Sequence, residues 1–428
     1  MTRNPDIYLL YEYVDKVPYT VRMKVYLDAP VDAALLAQAA QEAIGRLPYF
    51  GVRVGLDPKQ NYTLEHNDQP IAVLTEKDEC LTLGSEAVHG HLVAITYRDE
   101  CIWFNFSHTL CGGMGALFWV KATLFQYLTK QHGILEAPKD LKLPGTPVTD
   151  GELFFPDADK LPRIEPTSRY EGGDSSVQMG RILKYMLNPF AKDCYYYEIQ
   201  IPVREFMEYA AGIDGSPNSI LTAMMLKVTS RIFKERKGTF LSGKVADDYR
   251  NDIGAGESYH DFVRFIHVKY EWSMKNESIR KLSMRARRAI IAQSQPELSH
   301  EWFRKLTQNH ASIDEQPNLK AKKKYAARHR TFSRPRDTYV VSYVGQVDWG
   351  GMEKHIKGFY SITDGDLMIE LNALKDTFCL SFELLDKNRE PLELFCELLA
   401  QEGIPYCVSE RHMRHMPRIK LPSKGRLA

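Results

Sequence analysis

The sequence has no long apolar run, no excess of either charge and no paired cysteines, and each absence removes a class of function. Lys and Arg number 56 and Asp and Glu 55, for a formal charge of +1. A dedicated nucleic-acid binder carries a marked basic excess, so no nucleic-acid partner is expected. No stretch approaches the roughly 20 apolar residues that cross a bilayer. The apolar run Ala116 to Val120 stops at Lys121. The opening residues MTRNPDIYLLYEYVDK place Asp6 before the apolar part and Glu12 and Asp15 after it, unlike a secretory leader. Cys80, Cys101, Cys111, Cys194, Cys379, Cys396 and Cys407 are odd in number and form no C-x-x-C pair. That pattern suggests neither a disulfide framework nor a zinc site, and it fits a reducing cytoplasm. No G-x-S-x-G, Walker loop or G-x-G-x-x-G is present, so hydrolase, NTPase and dinucleotide-binding readings lack support. His89 and His91 lie two apart with no third ligand at metal spacing, so no metal site is expected.

What remains is a composition suited to a packed core. The chain has 428 residues, of which 44% are hydrophobic. At about 150 residues per domain this length suggests two to three domains. Val21 to Leu27 alternates apolar and polar residues and reads as a strand. Ala33, Leu36, Ala37, Ala40 and Ile44 recur at helical spacing, with Asp32 as a cap and Gly45 and Pro48 as stops. Strands are expected at His91–Tyr97 and Glu100–Phe106, then an amphipathic helix through Leu117, Val120, Leu124, Phe125 and Leu128. Residues 136 to 180 gather Pro138, Pro144, Pro147, Pro156, Pro162 and Pro166 and read as a long connection. Beyond it come a strand at Tyr195–Pro202 and helices at Val203–Ala211, Ser219–Phe233 and Glu277–Gln293. Strands follow at Thr338–Gly345, Leu367–Leu374 and Thr377–Leu385, and a helix at Pro391–Glu402. The mixed order predicts an α+β protein of two lobes. Residues 1–180 form the first, ending in the Pro-rich connection, and 181–428 form the second.

One stretch could carry chemistry. In Cys101-Ile-Trp-Phe-Asn-Phe-Ser107-His108-Thr-Leu-Cys111-Gly112-Gly113-Met114-Gly115 a buried-looking strand ends at Ser107-His108. Three glycines follow, then an apolar helix begins. One imidazole therefore sits on a turn between a strand end and a helix start. Histidine is suited to general-base work near neutral pH. The glycines admit positive φ or close approach of a ligand to the backbone. The free N–H groups of the helix start could face a phosphate or an oxyanion. Cys111 could be a nucleophile, but a small core filler is the stronger reading.

Aligned on His108, this stretch resembles the H-H-x-x-x-D-G motif of the chloramphenicol-acetyltransferase-like superfamily. That group includes condensation domains, alcohol acetyltransferases and BAHD acyltransferases. His108 and Gly113 match the motif, Ser107 replaces its first His, and Gly112 replaces its Asp. Arg46-Leu-Pro-Tyr-Phe, Val245-Ala-Asp-Asp-Tyr-Arg250 and Tyr339-Val-Val-Ser342-Tyr343-Val-Gly345 also resemble family segments. Asp348-Trp349-Gly350-Gly351 faintly resembles the BAHD D-F-G-W-G motif. Stand-alone alcohol-acetyltransferase-like proteins look closest.

The resemblance implies two lobes, each a mixed sheet with helices, around a central tunnel with His108 at its midpoint. It implies an acyltransferase with no bound cofactor, using acyl-CoA or an acyl-carrier thioester as co-substrate. His108 would take the proton of a small-molecule hydroxyl or amine acceptor. The partner would be the thioester donor, including an acyl or peptidyl carrier protein. Ser342 or a backbone N–H near Gly113 would hold the oxyanion, with Cys111, Met114, Ser342, Tyr343 and Trp349 as tunnel candidates. Trp119 or Met114 plugging the tunnel would instead favour a binder. The family's Asp pairs with an arginine, so Gly112 leaves Arg46 or Arg250 as a candidate without that partner. The alternative is a degenerate member that binds ligands or serves as a scaffold.

Two basic stretches remain, Arg280 to Arg288 and Lys320 to Arg336. The favoured reading is a solvated helix face and a loop, against a landing site for anionic partners. The basic tail RHMRHMPRIKLPSKGRLA is expected to fray.

Overall fold

The computed structural model describes residues 4–165, 177, 194–329 and 337–422. The division expected at residue 180, and Arg330, Arg334 and Arg336 of the second basic stretch, lie outside the described residues.

The first sheet contains β1 (Thr20–Leu27), β2 (Val73–Thr75), β3 (Val93–Arg98) and β4 (Cys101–Ser107). Its helices are α1 (Ala33–Arg46) and α2 (Gly113–His132). Asp32 caps α1 by accepting from the N–H groups of Ala34 and Leu35 at 2.9 and 3.0 Å. Val21, Met23, Val25 and Leu27 point from β1 into a core shared with Leu36, Ala40, Trp119 and Leu124.

The alternation in β1 suggests one wet face. The structure buries both, because the polar face has partners. Arg22 pairs with Glu76 at 2.6 Å, and Lys24 pairs with Glu198 of the second lobe at 2.7 Å.

The second lobe comprises β5 (Tyr195–Pro202), α3 (Val203–Gly212), α4 (Pro217–Ile232), β6 (Leu241–Asp248) and β7 (Val263–Tyr270). Three helices follow: α5 (Ile279–Gln293), α6 (Pro296–Asp314) and α7 (Leu319–Arg328). Then come β8 (Tyr339–Gln346), β9 (Ile356–Ile362), β10 (Met368–Leu374), β11 (Thr377–Leu384) and α8 (Glu390–Gln401). The large sheet runs β7-β6-β8-β10-β11-β5, with a short strand at Cys407–Val408 beyond β5. β8 lies parallel to both β6 and β10, and the other pairs are antiparallel. A second core holds Ile199, Leu221, Met225, Val245, Ile369 and Phe382.

The expected α+β class and two-lobed architecture are therefore present, with one exchange. β9 leaves the second half of the chain and pairs antiparallel with β1, so the first sheet runs β9-β1-β4-β3-β2. The hairpin β6–β7, the strand β9 and the helix α6 were not anticipated from sequence, and Lys320 to Arg328, expected as a loop, belong to the helix α7, where Lys322 is buried. The tail is also more ordered than expected up to residue 422. Arg414 is buried and donates to Glu383 at 2.8 Å, and Arg418–Ile419 pairs parallel with Thr82–Leu83. Arg414 found a buried acid and His412 lies 3.8 Å from another, Glu198, whereas Arg411, Arg418 and Lys420 stay exposed.

Candidate active site

The turn after β4 delivers His108 to the seam between the lobes. Ser107 is buried, and its hydroxyl bonds that of Thr109 at 2.7 Å. The His108 N–H donates to the Tyr19 carbonyl at 2.8 Å. Ring Nδ1 lies 3.2 Å from the Cys111 carbonyl. A carbonyl can only accept, so Nδ1 carries the hydrogen and Nε2 keeps the lone pair. His108 lines a cavity of about 420 Å³ with walls from both lobes. Tyr19, Met23, Gly113 and Met114 face it from the first lobe. Lys244, Arg250, Asp261, Ser342, Tyr343 and Glu370 face it from the second.

His108, Gly113, Met114, Ser342 and Tyr343 thus meet at one cavity. Two other candidates lie elsewhere. Cys111 is fully buried in the first core, and burial raises its thiol pKa well above the usual value. Trp349 is also buried, 5.0 Å from Phe359 between ring centroids. Trp119 packs edge-on to Phe104 and does not plug the cavity. Apolar bulk drew all three into the first core.

The glycines serve close approach. None of Gly112, Gly113 and Gly115 has positive φ. A Cβ on Gly115 would stand 2.0 Å from the Tyr259 carbonyl oxygen, and one on Gly112 2.5 Å from Asp261 Oδ1. The start of α2 is therefore seated on residues 258–262, the segment entering β7. Asp261 was not anticipated from sequence. Its Oδ2 lies 3.7 Å from His108 Nδ1, and its Oδ1 accepts from Val263 N–H at 3.1 Å.

Other first-lobe groups hold that segment. Asp6 accepts from the Asp261 N–H at 3.3 Å and lies 2.9 Å from His260 Nδ1. Tyr259 N–H donates to the Glu152 carbonyl at 2.9 Å, and its hydroxyl donates to the Glu152 carboxylate. Arg46 pairs with that carboxylate at 2.6 Å. Burial alone would raise the pKa of Glu152, but bonds from Arg46 and Tyr259 outweigh it and hold the value at about 2. Arg250 pairs with Asp248 at 2.8 Å and donates to the Ser258 carbonyl at 2.8 Å. Contrary to expectation, the missing motif Asp leaves neither Arg46 nor Arg250 without a carboxylate.

On the far wall Ser342 donates to Glu370, whose pKa is pushed up to about 8 by burial and then by the neighbouring Glu383. Elsewhere, Asp28, His132 and His355 each offer one possible metal-ligand atom within 4.8 Å of the others. The two imidazoles stack at 3.7 Å and 10°, and His355 Nδ1 lies 2.8 Å from Asp28. Stacked rings send their lone pairs along parallel planes rather than to one point, so this is not a coordination shell as it stands. On the basic helix α5, Lys281 and Arg287 are paired with Glu277 and Asp214. No described helix is long and apolar enough to cross a membrane.

No family model matches the sequence, and no curated protein matches it. Solved structures do match over nearly the whole chain. Polyketide synthase associated protein 5 from Mycobacterium tuberculosis aligns with TM-score 0.55 at 12% identity, covering 94% of this chain and 96% of that one. TRI101 of F. sporotrichioides, complexed with coenzyme A and T-2, aligns with TM-score 0.57 at 10% identity, covering 92% and 97%. The first condensation domain of the CDA synthetase aligns with TM-score 0.55 at 12% identity, covering 94% and 95%. The chain shares its fold with these three proteins.

Proposed function

We propose that this protein is an acyltransferase, moving an acyl group from a thioester to a hydroxyl or amine acceptor with His108 as general base. The observation that carries this reading is the state of His108. The Cys111 carbonyl holds Nδ1–H, and Nε2 has no hydrogen-bond partner among the described residues. The ring borders a cavity walled by both lobes. The fold shared with a coenzyme A complex and with a condensation domain supports a thioester donor, on CoA or on a carrier protein.

The step balances without a covalent acyl-enzyme. The acceptor O–H or N–H gives its proton to Nε2 as its heavy atom attacks the thioester carbonyl. The C–S bond breaks, and the departing sulfur takes the proton from the imidazolium. General-base assistance of this kind contributes about 10²–10⁴-fold. Holding both substrates in one cavity supplies the entropic part. The oxyanion requires a donor; Ser342, released from Glu370, and the Gly113 N–H border the cavity. We take residues 1–180 as the lobe carrying the base and 181–428 as the lobe supplying the opposite wall. Free cysteines at all seven positions suit reaction in a reducing cytoplasm. Acceptor-dependent thiol release from acyl-CoA, compared between wild type and His108→Ala, tests the reading. Release that persists unchanged in the variant removes His108 from the mechanism.

A further inference from the structure

We infer that Asp261 is the positioning carboxylate of His108, supplied from the second lobe, and that Gly112 is the space that admits it. This rests on the reading of His108 as base. Gly112 is constrained by space rather than by conformation. Its φ is −77°, which any residue adopts, so conformation does not demand glycine there. Space does, because a Cβ would stand 2.5 Å from Asp261 Oδ1 and 3.1 Å from its Cγ. The carboxylate thus occupies the volume that a side chain at position 112 would need. A motif that lost its own Asp has a carboxylate at the same turn, brought by another segment.

Asp261 is held firmly enough to act. Its backbone N–H reaches Asp6, and its Oδ1 is fixed by Val263 N–H. The preceding Tyr259 is locked to Glu152 and Arg46. Oδ2 remains directed at His108 Nδ1, at 3.7 Å. With His108 neutral, Nδ1–H is bonded to the nearer Cys111 carbonyl. Once Nε2 takes a proton, the imidazolium lies beside an anion, which stabilises the charge developing in the transition state. Two bases for one ring hydrogen also fix the ring plane and keep the Nε2 lone pair exposed.

The surrounding charges set when this arrangement operates. Burial raises the Asp261 pKa to about 6; His108 lowers it, whereas Asp6 and Asp248 raise it. Asp6 faces His260, and Asp248 is paired with Arg250. The pair therefore gains its negative partner as pH rises through about 6.

The test is Asp261→Asn, which keeps the shape and the acceptor for Val263 N–H. The expected result is a kcat lower by ~10–10²-fold, less than the ~10²–10⁴ at stake in losing the base, with KM little changed. Protonation of the base gives both proteins an acid limb, and the limb changes position in the variant because the carboxylate titrating near pH 6 beside the ring is gone. A second readout needs no turnover: carbethoxylation of His108 by diethyl pyrocarbonate, resolved by peptide mass spectrometry. Its pH profile in wild type carries the titration of Asp261 near pH 6, and Asp261→Asn displaces that profile. Gly112→Asp combined with Asp261→Gly returns a carboxylate to the turn from the other side and exceeds Asp261→Gly alone in both readouts. A wild type that releases no thiol from any donor overturns the acyltransfer reading but leaves the carbethoxylation result standing. Wild-type kcat in Asp261→Asn together with an unchanged carbethoxylation profile overturns the role of Asp261.

Discussion

Asp261 fills the space beside Gly112, so a residue of the second lobe completes a turn that belongs to the first. The two lobes are therefore coupled at the proposed base. A mutation at this contact should alter chemistry and stability together.

Gly112→Ala is the smallest test of that coupling. The added methyl meets a partly buried carboxylate already engaged by Val263 N–H, so one side must shift. Overpacking of this kind costs about 1–3 kcal/mol. The expected outcome is a lower melting temperature and a drop of tenfold or more in transfer, read by calorimetry and thiol release. Wild-type values in both would show that the turn relaxes freely.

Arg46→Met removes one member of a buried ion pair and leaves the Glu152 carboxylate without its main partner. Breaking such a pair costs about 3–5 kcal/mol. The sign with pH is definite. Glu152 has a folded pKa of about 2, depressed from 4.5, so its contribution is complete above about 4.5 and fades as pH falls toward 2. Denaturant unfolding at pH 7 and at pH 3 should show the variant's deficit shrinking in acid. A deficit constant between those values would contradict the assignment.

Glu370 behaves oppositely. Its folded pKa of about 8 lies above the ordinary 4.5, so the folded state holds the proton more tightly. The stability this contributes is present below about 4.5 and is lost as pH rises through 8. Glu370→Gln should gain melting temperature relative to wild type from pH 5 to pH 9. Parallel pH curves for the two proteins would show that Glu370 ionises normally in the fold.

How much of this was legible from sequence depends on the range of the interactions. His108 and the helix behind it were readable, because a strand, a turn and an apolar helix follow one another locally. The cap at Asp32 was readable for the same reason. Asp261 was not, because it reaches His108 from 153 residues away and carries no local pattern (261 minus 108). Gly112 was visible as a departure from the motif, but its cause lies in another lobe. Lys24 alternated as if exposed, and only tertiary pairing with Glu198 buries it. Trp349 was placed near the cavity by position along the chain, yet packing drew it into the core; Cys111, a tunnel candidate read more strongly as a core filler, lies in that core too. β9 gave no sign that it would cross to pair with β1, since pairing partners are set by the fold rather than by strand pattern.

The most direct measurement is thiol release from a panel of acyl-CoA and carrier-bound thioesters, with pooled alcohols and amines, for wild type and His108→Ala. The account predicts acceptor-dependent release in the wild type that falls by ~10²-fold or more in a folded variant. Equal release from both proteins, or none from the wild type with either donor class, would contradict it.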